Sequence, residues 1–216
     1  MEKYVADHMH RYEFMLKDLA RLVKPGYNIC NIGLSDFDSL AVRKYGINYY
    51  CAVPNQKYLD DFPAVISVEK QNILFYDLSA PEQSMDKKFD IVVFAETLEH
   101  MFAEDEIIIN SISNLLVPKG ILYLTVPNSA KHINRLRLLF GRNIYWSKKN
   151  VLRGVYGGYG HIREYTVREI TDLLEPVFIL RELYGIDPYG NKLQRALLNL
   201  FPRNWRSIII AVATKA

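Results

Sequence analysis

The chain has 216 residues, of which 50% are hydrophobic and 24% are charged, and its formal net charge is +3. This composition excludes a disordered, collagen-like or low-complexity protein, and the length favours a single α/β domain over residues 1–216. No apolar run reaches the roughly 18 residues of a membrane span, and charges stand where a signal peptide would be apolar, so we expect a cytoplasmic protein. The two cysteines form no C-x-x-C pair, and no metal-binding pattern is visible in the sequence.

The predicted helices and strands alternate along the first 126 residues. Residues 4–23 have apolar side chains at helical spacing and are followed by Pro25 and Gly26, which predicts a leading amphipathic helix. Short apolar runs predict five buried strands at 27–32, 48–53, 73–76, 89–95 and 120–126, with helical segments at 39–45, 56–62 and 103–116. This alternation is typical of βαβ units and a mostly parallel sheet. Two further runs, 177–184 and 207–214, predict an antiparallel pair at one sheet edge.

Residues 131–163 form a basic insertion after the fifth predicted strand. The segment carries eight lysines and arginines and no aspartate or glutamate, and the basic residues are interleaved with Tyr145, Trp146, Tyr156 and Tyr159. Its glycines between 154 and 160 predict a mobile loop or lid rather than a second core. The charge predicts an anionic partner, namely a phosphate or pyrophosphate on a sugar nucleotide or lipid carrier, an anionic membrane surface, or RNA. Peripheral membrane contact is the minority interpretation, and nucleic acid is not favoured because no RNA-binding appendage is recognisable.

Candidate site residues follow the carboxyl ends of the predicted strands, where ligands of parallel sheets bind. Gly33 follows the first strand and would admit a ligand close to the backbone or simply make a turn. Asp77 follows the third strand, where it would contact an exocyclic amine or lie in a solvated turn. Glu96 and His100 follow the fourth strand, and His100 would be a general base or make a structural hydrogen bond. Asn128 follows the fifth strand with an amide side chain.

Three segments resemble consecutive landmarks of class I S-adenosylmethionine-dependent methyltransferases, nearest to the type 11/23 enzymes of glycan and lipid biosynthesis. They are FDIVVFAETLEHM at 89–101, LLVPKGILYLTVPN at 115–128 and GHIREYTVREITDLL at 160–174, and their order and spacing match as well. The resemblance covers roughly residues 9–214. It implies a Rossmann-like seven-stranded, mostly parallel sheet with helices on both faces, and S-adenosylmethionine as the cofactor.

The resemblance leads to a hypothesis for the reaction and the residues that perform it. A methyl group would pass from the cofactor to an oxygen or nitrogen of a small or carrier-linked, anionic acceptor. Gly33, Asp77 and Glu96 would hold the cofactor, and His100 is the candidate base. The residues expected to contact the acceptor are Asn128, Tyr159, His161 and Arg163. For His161 and Arg163 the alternative is a structural turn before a helix that Thr166 and Glu169 begin as a T-x-x-E capping box.

Four positions depart from the cofactor-binding pattern of that family. The resemblance places a D-x-G-x-G-x-G loop at 31–37, where Asn31, Ser35 and Phe37 replace the acid and two of the glycines. Val53 stands where an acidic residue would hold the ribose. A charge-assisted hydrogen bond contributes about 1.5–3 kcal/mol, so these changes would weaken cofactor binding by roughly one to several orders of magnitude. The alternative function is therefore a methyltransferase-like binding or scaffolding protein that has lost its cofactor.

Overall fold

The computed structural model describes residues 2–60, 72–80, 84–145, 147, 149, 161–189, 197–198 and 200–216. Within these residues the strands are β1 (Ile29–Ile32), β2 (Tyr49–Val53), β3 (Ile73–Phe75), β4 (Phe89–Ala95), β5 (Leu116–Pro127), β6 (Phe178–Ile186) and β7 (Ile208–Lys215). The helices are α1 (Glu2–Ala20), α2 (Asp36–Tyr45), α3 (Gln56–Asp60), α4 (Asp105–Leu115), α5 (His132–Leu139) and α6 (Val167–Leu174). No described helix has both the length and the apolar character needed to cross a membrane.

The seven strands form one mixed sheet in the order β3-β2-β1-β4-β5-β7-β6. Strands β1 to β5 pair in parallel, whereas β7 lies antiparallel between β5 and β6. The predicted Rossmann-like, mostly parallel sheet and its antiparallel pair at one edge are confirmed. Because β1 and β4 are neighbours although β2 and β3 separate them in sequence, the chain changes direction across the sheet between these two strands.

The core occupies both faces of the sheet because successive side chains of a strand point to opposite faces. In β4, Val92 and Phe94 pack on the face that α4 and α6 cover, whereas Ile91 and Val93 pack on the face of α1 and α2. All four side chains are fully buried. An uninterrupted apolar run such as that of β4 is what a parallel strand buried on both faces requires.

Strand β5 differs most clearly from its predicted bounds. Strand β5 begins at Leu116 rather than at Gly120, because Leu116 pairs with Phe89 and the residues before Ile121 form a bulge with Lys119 at φ 63°. Helix α5 lies near the start of the basic insertion. The loop or lid predicted from the glycines between 154 and 160 falls outside the described residues and stays a prediction.

Candidate active site

The carboxyl ends of β1 and β4 lie side by side where the chain changes direction across the sheet, which is the place where open α/β sheets bind ligands, and we call this edge the crevice. Gly33 follows β1 with φ +92°, and a Cβ there would lie 3.7 Å from the Tyr58 hydroxyl oxygen and 3.9 Å from Thr97 Oγ1. Glu96 follows β4, also in the left-handed region, at φ 49°. The short 3-10 turn Leu98–His100 comes next and brings further polar side chains to the same edge.

The loop after β1 is held together by a buried carboxylate, that of Asp38. Its oxygens accept hydrogen bonds from Asn31 Nδ2 at 2.8 Å, the Tyr49 hydroxyl at 2.6 Å and the Ser35 backbone N–H at 2.6 Å. Burial raises the pKa of Asp38 above its usual value, and the hydrogen bonds from Tyr49 and Ser35 oppose that rise. Sequence reasoning missed Asp38, although the S-x-x-D spacing from Ser35 was a usable signal. The carboxylate of this loop therefore comes from position 38 instead of position 31.

Two of the four departures from the family pattern lie in the core. The Phe37 ring is 1% exposed, and its centroid lies 5.9 Å from that of Tyr12 on α1. Val53 is fully buried at the end of β2 and belongs to the same apolar cluster. Their side chains therefore fill the space between the sheet and α1 and α2.

Glu96 is paired with groups from two other elements. Arg11 of α1 lies with Nη1 3.1 Å from Glu96 Oε2, and the Thr125 hydroxyl of β5 donates to Glu96 Oε1 at 3.0 Å. Arg11 Nη1 also donates to the Tyr189 hydroxyl at 3.3 Å. These contacts draw α1 over the end of β4, so Glu96 has a structural role at the crevice, and its contact with a cofactor stays a prediction.

Asp77 and Asn128 stabilise the turns after their strands. Asp77 Oδ1 accepts hydrogen bonds from the Ser79 N–H at 2.9 Å and the Ser79 hydroxyl at 2.6 Å. Asn128 is fully buried, and its amide donates to the carbonyl oxygens of Asn204 at 2.9 Å and Arg206 at 2.7 Å. The cofactor contact of Asp77 and the acceptor contact of Asn128 stay predictions beside these observed roles.

The segment before α6 crosses the ends of β4 and β5. Arg163 donates to Glu169 Oε1 at 2.6 Å and lies over the Tyr165 ring, 5.1 Å from its centroid. The predicted capping box is confirmed, since the Thr166 N–H donates to Glu169 Oε2 at 2.7 Å and the Glu169 N–H donates to the Thr166 hydroxyl at 3.2 Å. The structure thus gives Arg163 the contacts of the structural alternative. Tyr159 lies outside the described residues.

A cluster of Glu99, His100 and His161 lies beside Glu96. Glu99 Oε1 is 3.9 Å from His100 Nε2 and 3.9 Å from His161 Nε2, and the two imidazole centroids are 5.0 Å apart. The Ile162 N–H donates to the Glu99 carbonyl oxygen at 2.8 Å, which fixes the two segments against each other. The other ring nitrogen of His161, Nδ1, lies 3.0 Å from Glu164 Oε1.

Glu99 is the most deeply buried member of this cluster. Its side chain is 1% exposed, whereas those of His100 and His161 are 41% and 22% exposed. Burial raises the pKa of Glu99 well above its usual range, and the nearby Glu96 carboxylate raises it further. Sequence reasoning assigned Glu99 no role, although it directly precedes His100. A cavity of about 340 Å³ adjoins the cluster, lined by Glu99, Ile162 and Arg163 among other residues.

Solved structures match this chain over almost its whole length, whereas no protein-family model and no curated protein match its sequence. A structure from Thermotoga maritima, described as a methyltransferase dependent on S-adenosylmethionine and possibly a histamine N-methyltransferase, aligns with a TM-score of 0.61. It is 16% identical and covers 100% of this chain and 94% of its own. The chain has the fold of class I methyltransferases dependent on S-adenosylmethionine.

Two further structures share this methyltransferase fold. The putative methyltransferase of Haloferax volcanii, solved in complex with the Trm112 methyltransferase activator, has a TM-score of 0.62 at 14% identity, covering 99% of this chain and 92% of its own. Magnesium protoporphyrin IX methyltransferase from Synechocystis, solved with bound S-adenosylhomocysteine, has a TM-score of 0.57 at 16% identity, covering 97% of this chain and 85% of its own. The fold implied by the sequence resemblance is therefore confirmed.

Within this methyltransferase fold, the predicted site residues fall into two groups. In the first group, Glu96 lies close to Glu99, which His100 and His161 contact, and Gly33 lies near Thr97 of the same segment. Asp77 lies at the end of β3, two strands away from β1 in the sheet, and Asn128 and Arg163 lie in the turns that connect β5 and α6 to the rest of the fold.

Proposed function

We propose that this protein is a methyltransferase that uses S-adenosylmethionine to methylate an oxygen or nitrogen of a small or carrier-linked, anionic acceptor. The observation that carries the proposal is the methyltransferase fold, in which Gly33 follows β1 at the switch point of the sheet in a left-handed conformation, φ +92°. A glycine there lets the backbone approach a bound ligand closely.

The residues of the crevice fit the proposed cofactor. Phe37 and Val53 replace a glycine and an acid of the family pattern, but both side chains are buried in the core. Asn31 replaces the leading acid and instead bonds to Asp38 within the loop. Gly33, Asp77 and Glu96 would hold the cofactor, which supplies a methyl group on a positively charged sulfur when it is bound.

The chain's own contribution to the reaction is placement and proton removal. The residues around the crevice would hold the acceptor atom in line with the methyl group that the cofactor supplies, and such alignment is a large part of what a direct displacement needs. The proton of a hydroxyl acceptor passes to a base, for which His100 at the crevice mouth is the candidate.

The start of the basic insertion supports an anionic, carrier-linked acceptor. Helix α5 and the residue after it leave large apolar side chains between 42% and 76% exposed, namely Ile133, Leu136, Leu138, Leu139 and Phe140. Residues 131–145 also carry four basic side chains and no acidic one. Apolar side chains beside cations suit the surface of an anionic membrane, where a lipid carrier would present its headgroup.

Vesicle sedimentation tests this membrane contact. We expect binding to vesicles that contain phosphatidylglycerol, weaker binding to pure phosphatidylcholine, and a loss of about tenfold in the variant Leu139→Ser/Phe140→Ser. Phe75→Ser, which changes a ring that is 53% exposed on β3 at the opposite side of the sheet, is the matched control. Equal binding by both variants would contradict the membrane contact and leave a water-borne acceptor.

Calorimetric titration with S-adenosylmethionine and S-adenosylhomocysteine tests the proposed function itself. Micromolar binding supports the enzyme, and Asp77→Ala should then weaken it by about tenfold, the loss of roughly one charge-assisted hydrogen bond. Asp172→Ala, an exposed aspartate of α6, should leave binding unchanged. No binding at millimolar cofactor would refute the proposal and favour the second candidate, a cofactor-free scaffolding protein. The observation that supports this candidate is that Asn31 and Ser35 replace the acid and a glycine of the family's cofactor loop.

A further inference from the structure

The geometry beside the crevice points to a metal site: we propose that Glu99, His100 and His161 bind one divalent transition-metal ion. One ligand atom from each of these residues lies within 4.8 Å of the other two. The inference does not depend on the proposed methyl transfer, since it concerns only what these three side chains bind. It departs from the sequence analysis, in which no metal-binding pattern was visible because His161 lies 61 residues after His100 in the chain.

The donor set decides the kind of ion. Two imidazole nitrogens and one carboxylate suit Zn²⁺, Mn²⁺, Fe²⁺ and their neighbours, whereas Mg²⁺ and Ca²⁺ prefer oxygen ligands alone. Ligand bonds of about 2.0–2.2 Å would place the three atoms about 3.0–3.5 Å apart. The separations of 3.9 Å from Glu99 to each imidazole therefore close by shifts of about 1 Å or less, which the half-exposed His100 side chain can make.

The carboxylate of Glu99 is the second and independent observation. The side chain is 99% buried, and neither of its oxygens has a hydrogen-bond partner among the described residues. A buried carboxylate without partners is costly, and native structures hold such groups only where an ion, a proton or water satisfies them. The Arg11 guanidinium is paired with Glu96 and acts on Glu99 only through its charge, without a hydrogen bond.

The surroundings of His161 are those of a metal ligand. Glu164 Oε1 lies 3.0 Å from His161 Nδ1. In the tautomer that carries its proton on Nδ1, this proton is donated to Glu164 and the Nε2 lone pair is available to an ion. Metal-ligating histidines characteristically donate their second nitrogen to a carboxylate in this way.

An ion can reach the proposed metal site from solvent. His100 is half-exposed, and the cavity of about 340 Å³ beside Glu99 is lined by Leu98, Met101 and Ile162. Three protein ligands leave at least one coordination position for water or another ligand from this cavity. If the ion is bound through its Nε2, His100 is a ligand and does not act as the base, so the metal would take over activation of a hydroxyl acceptor.

The test is a calorimetric titration of the full chain, without affinity tag and stripped of metal by a chelator, with ZnCl₂ and with MnCl₂. We expect one ion per chain at micromolar affinity or tighter. Glu99→Gln and His161→Asn should each weaken binding by more than about 100-fold, and Glu164→Gln by about 10–100-fold. The controls are His10→Asn and Glu106→Gln, an exposed histidine of α1 and an exposed acid of the adjoining cavity, which should bind as the parent does.

Thermal unfolding distinguishes an ion from a proton as the partner of Glu99. Metal should raise the melting temperature of the parent but not that of Glu99→Gln, because only the folded parent binds it. Without metal, Glu99→Gln should melt at or above the parent's temperature, since it replaces a buried carboxylate by a neutral amide. Absence of binding, or binding that survives Glu99→Gln and His161→Asn, overturns the proposal. Either result leaves the cofactor titration unaffected, so the two proposals fail separately.

Discussion

Restoring the family's acidic residue by Asn31→Asp should destabilise this protein. In the methyltransferase pattern an acid at this position serves the cofactor, so the sequence comparison alone would favour an improvement. The structure opposes it, because Asn31 Nδ2 donates a hydrogen bond of 2.8 Å to the buried carboxylate of Asp38. The substitution replaces that donor with a second carboxylate at hydrogen-bond distance from the first.

The size of the effect follows from this contact. A hydrogen bond to a charged group contributes about 1.5–3 kcal/mol, and two carboxylates this close do not both ionise. The repulsion between the two carboxylates is relieved when one of them takes up a proton. For a carboxyl group of pKa about 3.9, this proton uptake costs roughly 4 kcal/mol at pH 7. We therefore expect a loss of about 3–4 kcal/mol in the free energy of unfolding at pH 7. For a chain of this length that is a fall in melting temperature of roughly 6–15 °C.

The loss of stability in Asn31→Asp should depend on pH. In the variant, the folded pair holds a proton that the unfolded chain releases above a pH of about 4. The folded-state pKa of the pair is thus raised, so the penalty grows as the pH rises above about 4 and is larger at pH 7 than at pH 5. Urea unfolding followed by circular dichroism at pH 7 and pH 5 measures both values.

A matched control is Asn55→Asp, which makes the same chemical change at an exposed position where the side chain accepts the Tyr58 N–H at 2.9 Å. Aspartate caps a helix as well as asparagine does, so stability should stay within about 0.5 kcal/mol. If Asn31→Asp matches this control in stability and binds S-adenosylmethionine more tightly than the parent, the account of the loop given above is wrong.

Three further predictions concern stability. Gly33→Ala should cost about 1–2 kcal/mol, because φ +92° is strained for alanine although its Cβ meets nothing closer than 3.7 Å; a gain in urea midpoint would contradict this. Phe37→Ala should cost about 3–5 kcal/mol by cavity formation while the cofactor dissociation constant from calorimetry changes less than about twofold, and a large change in that constant would place the ring in the crevice instead. Thr166→Ala should cost about 1 kcal/mol by loss of the cap of α6, and an unchanged urea midpoint would contradict this role of the Thr166 hydroxyl.

Much of the fold was predictable because its strands are short apolar runs with clear ends. The run Phe89–Ala95 is buried on both faces, so its hydrophobicity alone indicated a central strand. The early start of β5 was not predictable, because Pro118 and Gly120 are turn residues by local chemistry and the bulge depends on pairing with Phe89. Helix α5 was foreseen only as a segment that could lie along a membrane interface, because its basic and apolar residues do not form the apolar stripe of a packed helix.

The candidate site was harder to predict, because its contacts join residues that are far apart in sequence. Gly33, Glu96 and His100 followed from the rule that ligands bind at strand ends. The pairing of Arg11 with Glu96, the role of Asp38 and the contact of Glu99 with His161 depend on how α1, α2 and the segment before α6 pack on the sheet. No spacing of residues in the sequence predicts such contacts. The motifs therefore indicated where the crevice lies but not which charged side chains pair there.

The position of β7 between β5 and β6 has a consequence for how a newly made chain completes its sheet. In the part of the chain that the structure describes, β6 is paired with β7 alone, although β6 is synthesised first. Strand β6 therefore joins the sheet only after residues 208–215 have been synthesised and β7 has become available to pair with it. A chain cut short within those residues would leave the edges of β5 and β6 both unpaired, and open edges of that kind recruit other chains into aggregates.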